Sequence, residues 1–259
     1  MPASPALRAA YIAAMQADAG AEYRVQSRGA ELVAQNPGQR LSAVAVKGRS
    51  GLRVQAGLGA RERGDEHRTL DLALAGFGCE GAVSELAAAT LKTGGNRVTF
   101  ERPGLDEWYV NGPLGVEQGF TVAQRPDCGA GSDLRFEVSV GGGVTPSLHG
   151  NGDAAGSYVE LADASSGRWL RYSDVFAKDA RGRALPTRLA VVEKRIQISV
   201  DDDGAEYPIT VDPLVWTLDQ QLLGSDTAAN DLFGRSLALS GTTAVVGAWQ
   251  ATVSGKSGA

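Results

Sequence analysis

The chain has 259 residues, 43% of them hydrophobic, enough to build a sizeable core and too apolar for global disorder. Lys and Arg number 25 against 30 Asp and Glu, a net charge of −5. That balance argues against nonspecific nucleic-acid binding, which needs a positive surface to displace counterions from phosphates. Glycine, at 34 residues, is about twice its usual ~7% share, yet there is no Gly-X-Y period and only 10 Pro, so collagen is excluded and turn-rich β structure is indicated.

Ser4 and Pro5 form an N-cap and first-turn pair, and Leu7, Tyr11 and Met15 recur at four-residue spacing before Gly20. Residues 1–20 are therefore predicted to hold a short amphipathic helix with that face packed. The competing reading is a signal peptide, since AAYIAAM over 9–15 and Ala17-Asp18-Ala19 mimic an apolar segment and cleavage site. Arg8 is its only positive charge and Gln16 interrupts the run, so the helix is preferred. No stretch approaches the ~18 consecutive apolar residues of a membrane helix.

Beyond Gly20 the hydrophobic period falls to two. Leu52, Val54 and Ala56 alternate with polar residues, as do Leu70, Leu72 and Leu74 in part. SELAAATLK over 84–92 fits either a helix or a strand and is read as strand because its neighbours are β. Val116, Phe120 and Val122 share a parity; Leu134, Phe136, Val138 and Val140 share another, and Ile196, Ile198 and Val200 a third. Such alternation describes strands with one buried and one wet face, typical of antiparallel sheets. Asn111-Gly112, Gly141–Gly143, Asn151-Gly152, Ser166-Gly167, Arg181-Gly182 and Asp203-Gly204 supply the turns. The fold class is all-β: an antiparallel β-sandwich, one large or two stacked, spanning 21–214 with a subdivision near 100–106 as the alternative.

The chemical inventory is thin. Cys79 and Cys128 show no CxxC spacing, which argues against structural zinc. Two unrelated thiols and one disulfide between loops both remain open, the disulfide gaining weight in an exported protein. Asp106 and Glu107 sit beside Trp108 and Tyr109, but adjacent strand residues face opposite sides, so the two acids do not share a site. One of Trp108 and Tyr109 is expected toward the core and the other outward, and Trp169 and Tyr172 are treated alike. His67 and His149 read as exposed loop residues, and Asp201-Asp202-Asp203-Gly204 as a turn rather than a cation site. No catalytic residue, metal or cofactor is expected.

The tail from 215 to 259 changes character: two apolar runs, Ser236–Leu239 and Ala244–Ala248, flank Ser240-Gly241-Thr242-Thr243. LFGRSLALSGTTAVVGAW resembles the FG-GAP repeat, the blade of integrin-α-type β-propellers, with Phe233-Gly234 as the first motif pair and Gly247-Ala248 as the second. Trp249 stands where Pro is usual, and GSDTAANDLFG matches the lead-in of the bacterial variant. Upstream, EWYVNGPLGVEQGFTV, RWLRYSDVFAKDARGRALP and DDDGAEYPITVDPLV resemble the β-rich region that precedes such repeats in large bacterial surface proteins.

The resemblance implies a partial propeller blade, an extracellular or cell-surface setting, and a non-catalytic structural or adhesive role with a protein or glycan ligand. Many FG-GAP blades hold calcium in a carboxylate-rich hairpin; the equivalent turn here carries no carboxylate, so calcium is not expected there. A propeller needs about four to eight blades and this chain holds at most one, so its apolar hairpin is expected to pack on the sandwich, pair with another chain or remain poorly ordered. The alternative is a carbohydrate-binding or carbohydrate-active sandwich that stacks sugar on Trp108 or Trp169.

Overall fold

The computed structural model describes residues 4–56, 69–129, 131–163, 167–217, 231–240, 243–253 and 256–257. The chain divides into two compact units, Met1–Leu218 and Asp219–Ala259. In the first, Ser4 caps helix α1 (Pro5–Ala17), its hydroxyl accepting from the Leu7 amide at 3.3 Å.

Eighteen strands follow among the described residues of this unit. The first ten are β1 (Gln26–Arg28), β2 (Glu31–Asn36), β3 (Leu41–Val46), β4 (Leu52–Ala56), β5 (Thr69–Cys79), β6 (Ala82–Ser84), β7 (Thr90–Gly94), β8 (Arg97–Arg102), β9 (Leu105–Gly112) and β10 (Gly115–Val122). The rest are β11 (Leu134–Gly141), β12 (Val144–His149), β13 (Tyr158–Asp163), β14 (Gly167–Lys178), β15 (Ala184–Leu185), β16 (Thr187–Val192), β17 (Arg195–Val200) and β18 (Ile209–Thr217). They form two nine-stranded antiparallel sheets. One has the order β1-β2-β3-β4-β5-β11-β17-β16 with β6 beside β5, the other β12-β13-β14-β18-β10-β9-β8-β7 with β15 beside β14.

The strands with the clearest alternation lie in the middle of the sheets. Leu134, Phe136, Val138 and Val140 of β11, flanked by β5 and β17, are all buried, and so are Ile196, Ile198 and Val200 of β17. One hydrophobic cluster draws residues from both sheets, so the core is single. Residues 100–106 span the end of β8 and the start of β9, a hairpin inside one sheet rather than a boundary. The ambiguous 84–92 segment is not helical: it connects β6 to β7 through Glu85–Ala89, which has no regular structure.

Two features differ from the sequence reading. Helix α1 buries Ile12 and Gln16, whereas Leu7 and Tyr11 are exposed, at 63% and 55%. A polar side chain turns the helix: Gln16 Nε2 donates to the Val110 and Gly115 carbonyls of the β9–β10 hairpin. The sandwich interior also holds a buried polar network. Glu107 accepts from the Leu74 amide, Tyr109 Oη at 2.7 Å and Gln118 Nε2, and pairs with Arg102, while Tyr172 Oη donates to Gln118 Oε1 at 3.0 Å. Burial foremost, then the neighbouring Glu107 charge, pushes the Tyr109 and Tyr172 hydroxyls well above the usual phenol range, so both remain donors.

The second unit contains hairpin β19 (Ser236–Ser240) and β20 (Thr243–Gly247), then the short pair β21 (Thr252–Val253) and β22 (Lys256–Ser257). The residues Gly241 and Thr242 of the turn expected to lack calcium lie outside the described residues.

Candidate functional site

On the second sheet, the residues whose parity points away from the core carry most of the unusual chemistry. Asp106 and Glu107 do fall on opposite faces, Glu107 among the core residues. Trp108 and Tyr109 also split, but both are buried, at 5% and 3%. Trp108 is covered on the outer face: Arg97 lies 4.2 Å over its ring, and its indole N–H donates to Thr121 Oγ1 at 3.1 Å. Its ring lies across Gly119, where a Cβ would come within 2.1 Å of Trp108 Cζ2. A sugar could reach that ring only by displacing the guanidinium, which corrects the expectation of a stacking platform at Trp108. The Trp169 side chain and His67 lie outside the described residues.

The same face holds an acidic pair. Glu117 of β10 is 4% exposed, and Asp212 of the adjacent β18 shares a hydrogen bond with it. Burial first, then that hydrogen bond and the Glu117 charge, holds the Asp212 carboxyl well above the usual carboxylate range; Lys178 and Arg97 partly oppose the rise.

Toward β12, β13 and β14 the face becomes aromatic and cationic. His149 ends β12 instead of lying in a turn, and its ring stacks on Tyr158, with centroids 4.8 Å apart and planes inclined by 6°. Arg171 lies 3.8 Å from the centre of the Tyr158 ring and 5.2 Å from that of Trp216. Trp216 Nε1–H donates to Ser173 Oγ at 2.9 Å, and Ser173 Oγ donates to Asp174 Oδ2 at 2.7 Å. Asp174 then binds Arg8 of α1 through two hydrogen bonds.

A bulge makes that last contact. The β14–β18 register shifts between Ser173 and Phe176, and Asp174 adopts a φ of 57°, a left-handed conformation that aspartate tolerates better than most residues. These groups enclose a pocket of about 240 Å³ between the first turns of α1, the 154–158 segment and the outer face of β14 and β18. Sequence reasoning missed it, because Arg8, Tyr158, Arg171, Asp174 and Trp216 come from four separate segments. Only the polar parity of Arg171 and Ser173 on β14 signals an outward row.

Elsewhere the predicted residues have structural tasks. Cys79 and Cys128 form a disulfide with Cα atoms 5.8 Å apart, joining the end of β5 to the loop after β10. Asp202 accepts two hydrogen bonds from Arg125, at 2.7 and 3.2 Å, and one from Tyr207, so it clamps loops together. Among the described residues no group of three or more His, Cys, Asp or Glu side chains is placed to hold a metal ion. In the second unit, the two halves of the Phe233-Gly234 and Gly247-Ala248 motif meet: the Gly234 amide donates to the Gly247 carbonyl at 3.0 Å, closing the open end of the β19–β20 hairpin.

The architecture is thus an all-β sandwich followed by a separate hairpin unit. Residues 216–259 match the family model of the FG-GAP repeat. No curated protein and no solved structure matches the chain. Among the described residues no helix is long and apolar enough to cross a membrane.

Proposed function

We propose that the protein works outside the cell, at a bacterial surface, as a non-catalytic structural or adhesive component. The observation that carries this reading is the FG-GAP repeat at 216–259, in the same chain as a sandwich closed by the Cys79–Cys128 disulfide. Disulfides of this kind persist in oxidising compartments and are rare in reducing ones. The sheet separates Asp106 from Glu107, which argues against that pair flanking a glycosidic bond. The test is accessibility on intact source cells. Labelling by a membrane-impermeant amine reagent and resistance of both cysteines to alkylation are expected; a reduced, unlabelled protein overturns the proposal. Robust hydrolysis of a glycan or ester panel, lost on substituting one carboxylate, overturns its non-catalytic part.

A second reading is a carbohydrate-binding sandwich. It is favoured by the pocket in which Arg171 lies between Tyr158 and Trp216, residues other than the tryptophans first considered.

A further inference from the structure

We infer that the pocket between α1 and the outer face of β14 and β18 binds the oxyanion of an acidic sugar unit, with Arg171 as its anchor. The inference rests on the carbohydrate-binding reading and supplies its ligand class. Arg171 is half-buried, yet it forms no ion pair among the described residues, although it stands directly across from Glu160 in the β13–β14 register. Its visible interactions are with ring faces, Tyr158 at 3.8 Å and Trp216 at 5.2 Å. Stacking holds a guanidinium by its flat faces and leaves its in-plane N–H groups unspent. A planar fork of donors, immobilised in advance, matches a carboxylate or sulfate through paired hydrogen bonds.

The surroundings hold that cation in place. Tyr158 is backed by His149, and Trp216 is fixed by its hydrogen bond to Ser173. The nearest acid on the pocket wall, Asp174, is already engaged by Arg8, whose guanidinium is raised in pKa chiefly by that hydrogen bond. Of the charged residues that line the pocket, Arg8 and Arg171 are cationic and Asp174 anionic, with Glu160 across from Arg171 outside the lining. At about 240 Å³ the space is smaller than the roughly 300–1,000 Å³ of drug-sized sites, which restricts the occupant to about one ring.

The oxyanion has two natural sources, a uronic-acid carboxylate and a sulfate ester, and titration of the full chain separates them. Glucuronate, galactose 6-sulfate, glucose, galactose and inorganic sulfate are each titrated while the four indole N–H signals are followed by NMR. At least one acidic sugar is expected to saturate with a Kd of about 1 mM or tighter. It should shift the indole signal that Trp216→Phe removes, while the neutral sugars do not bind. Arg171→Ala is expected to weaken binding at least tenfold and Arg171→Lys less, since lysine keeps the charge and loses the fork. Arg53→Ala, which removes an exposed pair in the other sheet, should leave binding unchanged.

If glucuronate alone binds, the carboxylate is the source; if the sulfated sugar alone binds, the ester is. Equal binding of glucose, equal binding of free sulfate, or binding indifferent to Arg171→Ala overturns the inference. So does the absence of binding by the folded wild-type chain, a result that leaves the surface-accessibility test of the adhesive reading untouched. Should Arg171→Ala fail to fold, Arg171→Lys and the Trp216 indole signal still decide.

Discussion

Glu107 and Arg102 face each other inside the sandwich, 3.4 Å apart, with side chains 0% and 2% exposed. Taking both charges out of water costs several kcal/mol per ion, and only a fully bonded geometry repays it. Here the geometry is well supplied. Arg102 also donates to the Ala87 carbonyl and to Ser50, and Glu107 collects a tyrosine, a glutamine and a backbone amide. The network bonds β8, β9 and β10 of one sheet to β5 of the other. It therefore sets how the two sheets lie against one another, which apolar packing alone leaves less defined.

Breaking one half of the pair is accordingly expected to cost more than removing both. Arg102→Met should lose about 3–5 kcal/mol by leaving the Glu107 carboxylate buried and unpaired. The double variant Arg102→Met/Glu107→Leu should recover a large part of that loss. Urea unfolding of the three proteins measures it, and additive losses would show that the two side chains do not act as a pair.

Asp212 makes stability fall with pH in a definite window. Its folded-state pKa is raised, so the folded chain holds that proton more tightly than the unfolded chain, whose aspartates titrate near about 3.9. The stabilisation is complete below the unfolded value and is lost as pH rises toward and through the raised folded value. Asp212→Asn keeps a hydrogen-bond donor facing Glu117 and cannot ionise. Its urea midpoint should therefore decline less than that of the wild type between pH 4.5 and pH 8. Parallel curves for the two proteins would remove Asp212 from the account.

Gly119 is required by the ring that crosses it. A Cβ there would stand 2.1 Å from Trp108 Cζ2, so Gly119→Ala must push the indole away from Thr121 and from under Arg97. Overpacking of this kind typically costs about 1–3 kcal/mol. The variant should show that loss in urea together with a red-shifted tryptophan emission. Unchanged emission would mean that the ring had not moved.

Reduction of Cys79–Cys128 frees a loop of 49 residues. Loop-closure entropy for such a span corresponds to about 4 kcal/mol in the chain-entropy description. Dithiothreitol, or Cys79→Ser with Cys128→Ser, is expected to lower the unfolding free energy of the sandwich by an amount of that order. An unchanged midpoint would mean that the unfolded chain gains little freedom when the bond is cut.

What could be read from the sequence follows from how each residue is buried. Leu134 to Val140 and Ile196 to Val200 are legible because an interior strand with one apolar face writes its parity directly into residue type. Glu107, Gln118 and Tyr109 occupy interior parity with polar chemistry, so pattern alone assigns them to the surface or to a catalytic site. Helix α1 misleads for a similar reason, since Gln16 and Ile12 face the sheet while Leu7 and Tyr11 do not. Trp108 has outward parity and is still buried, because Arg97 and the bare backbone at Gly119 let it lie flat. The pocket was invisible because an aspartate bulge at 174 and a helix more than 160 residues earlier in the chain form it together. The FG-GAP repeat was legible because its motif is local: Phe233-Gly234 and Gly247-Ala248 bracket a single hairpin.

The closure of that hairpin gives the last prediction. Gly234 has a φ of 85°, a conformation that L side chains rarely adopt, and its amide bonds the Gly247 carbonyl at 3.0 Å. Gly234→Val must either take up that strained backbone or release the bond, at a cost above about 1 kcal/mol. Because the second unit has few residues to share the loss, amide exchange should accelerate across 236–247. The sandwich amides of β11 and β17, which belong to the first unit, should keep their protection. Acceleration in both units would mean that they unfold as one, and unchanged exchange at 236–247 would mean that the Gly234–Gly247 bond does not hold the hairpin closed.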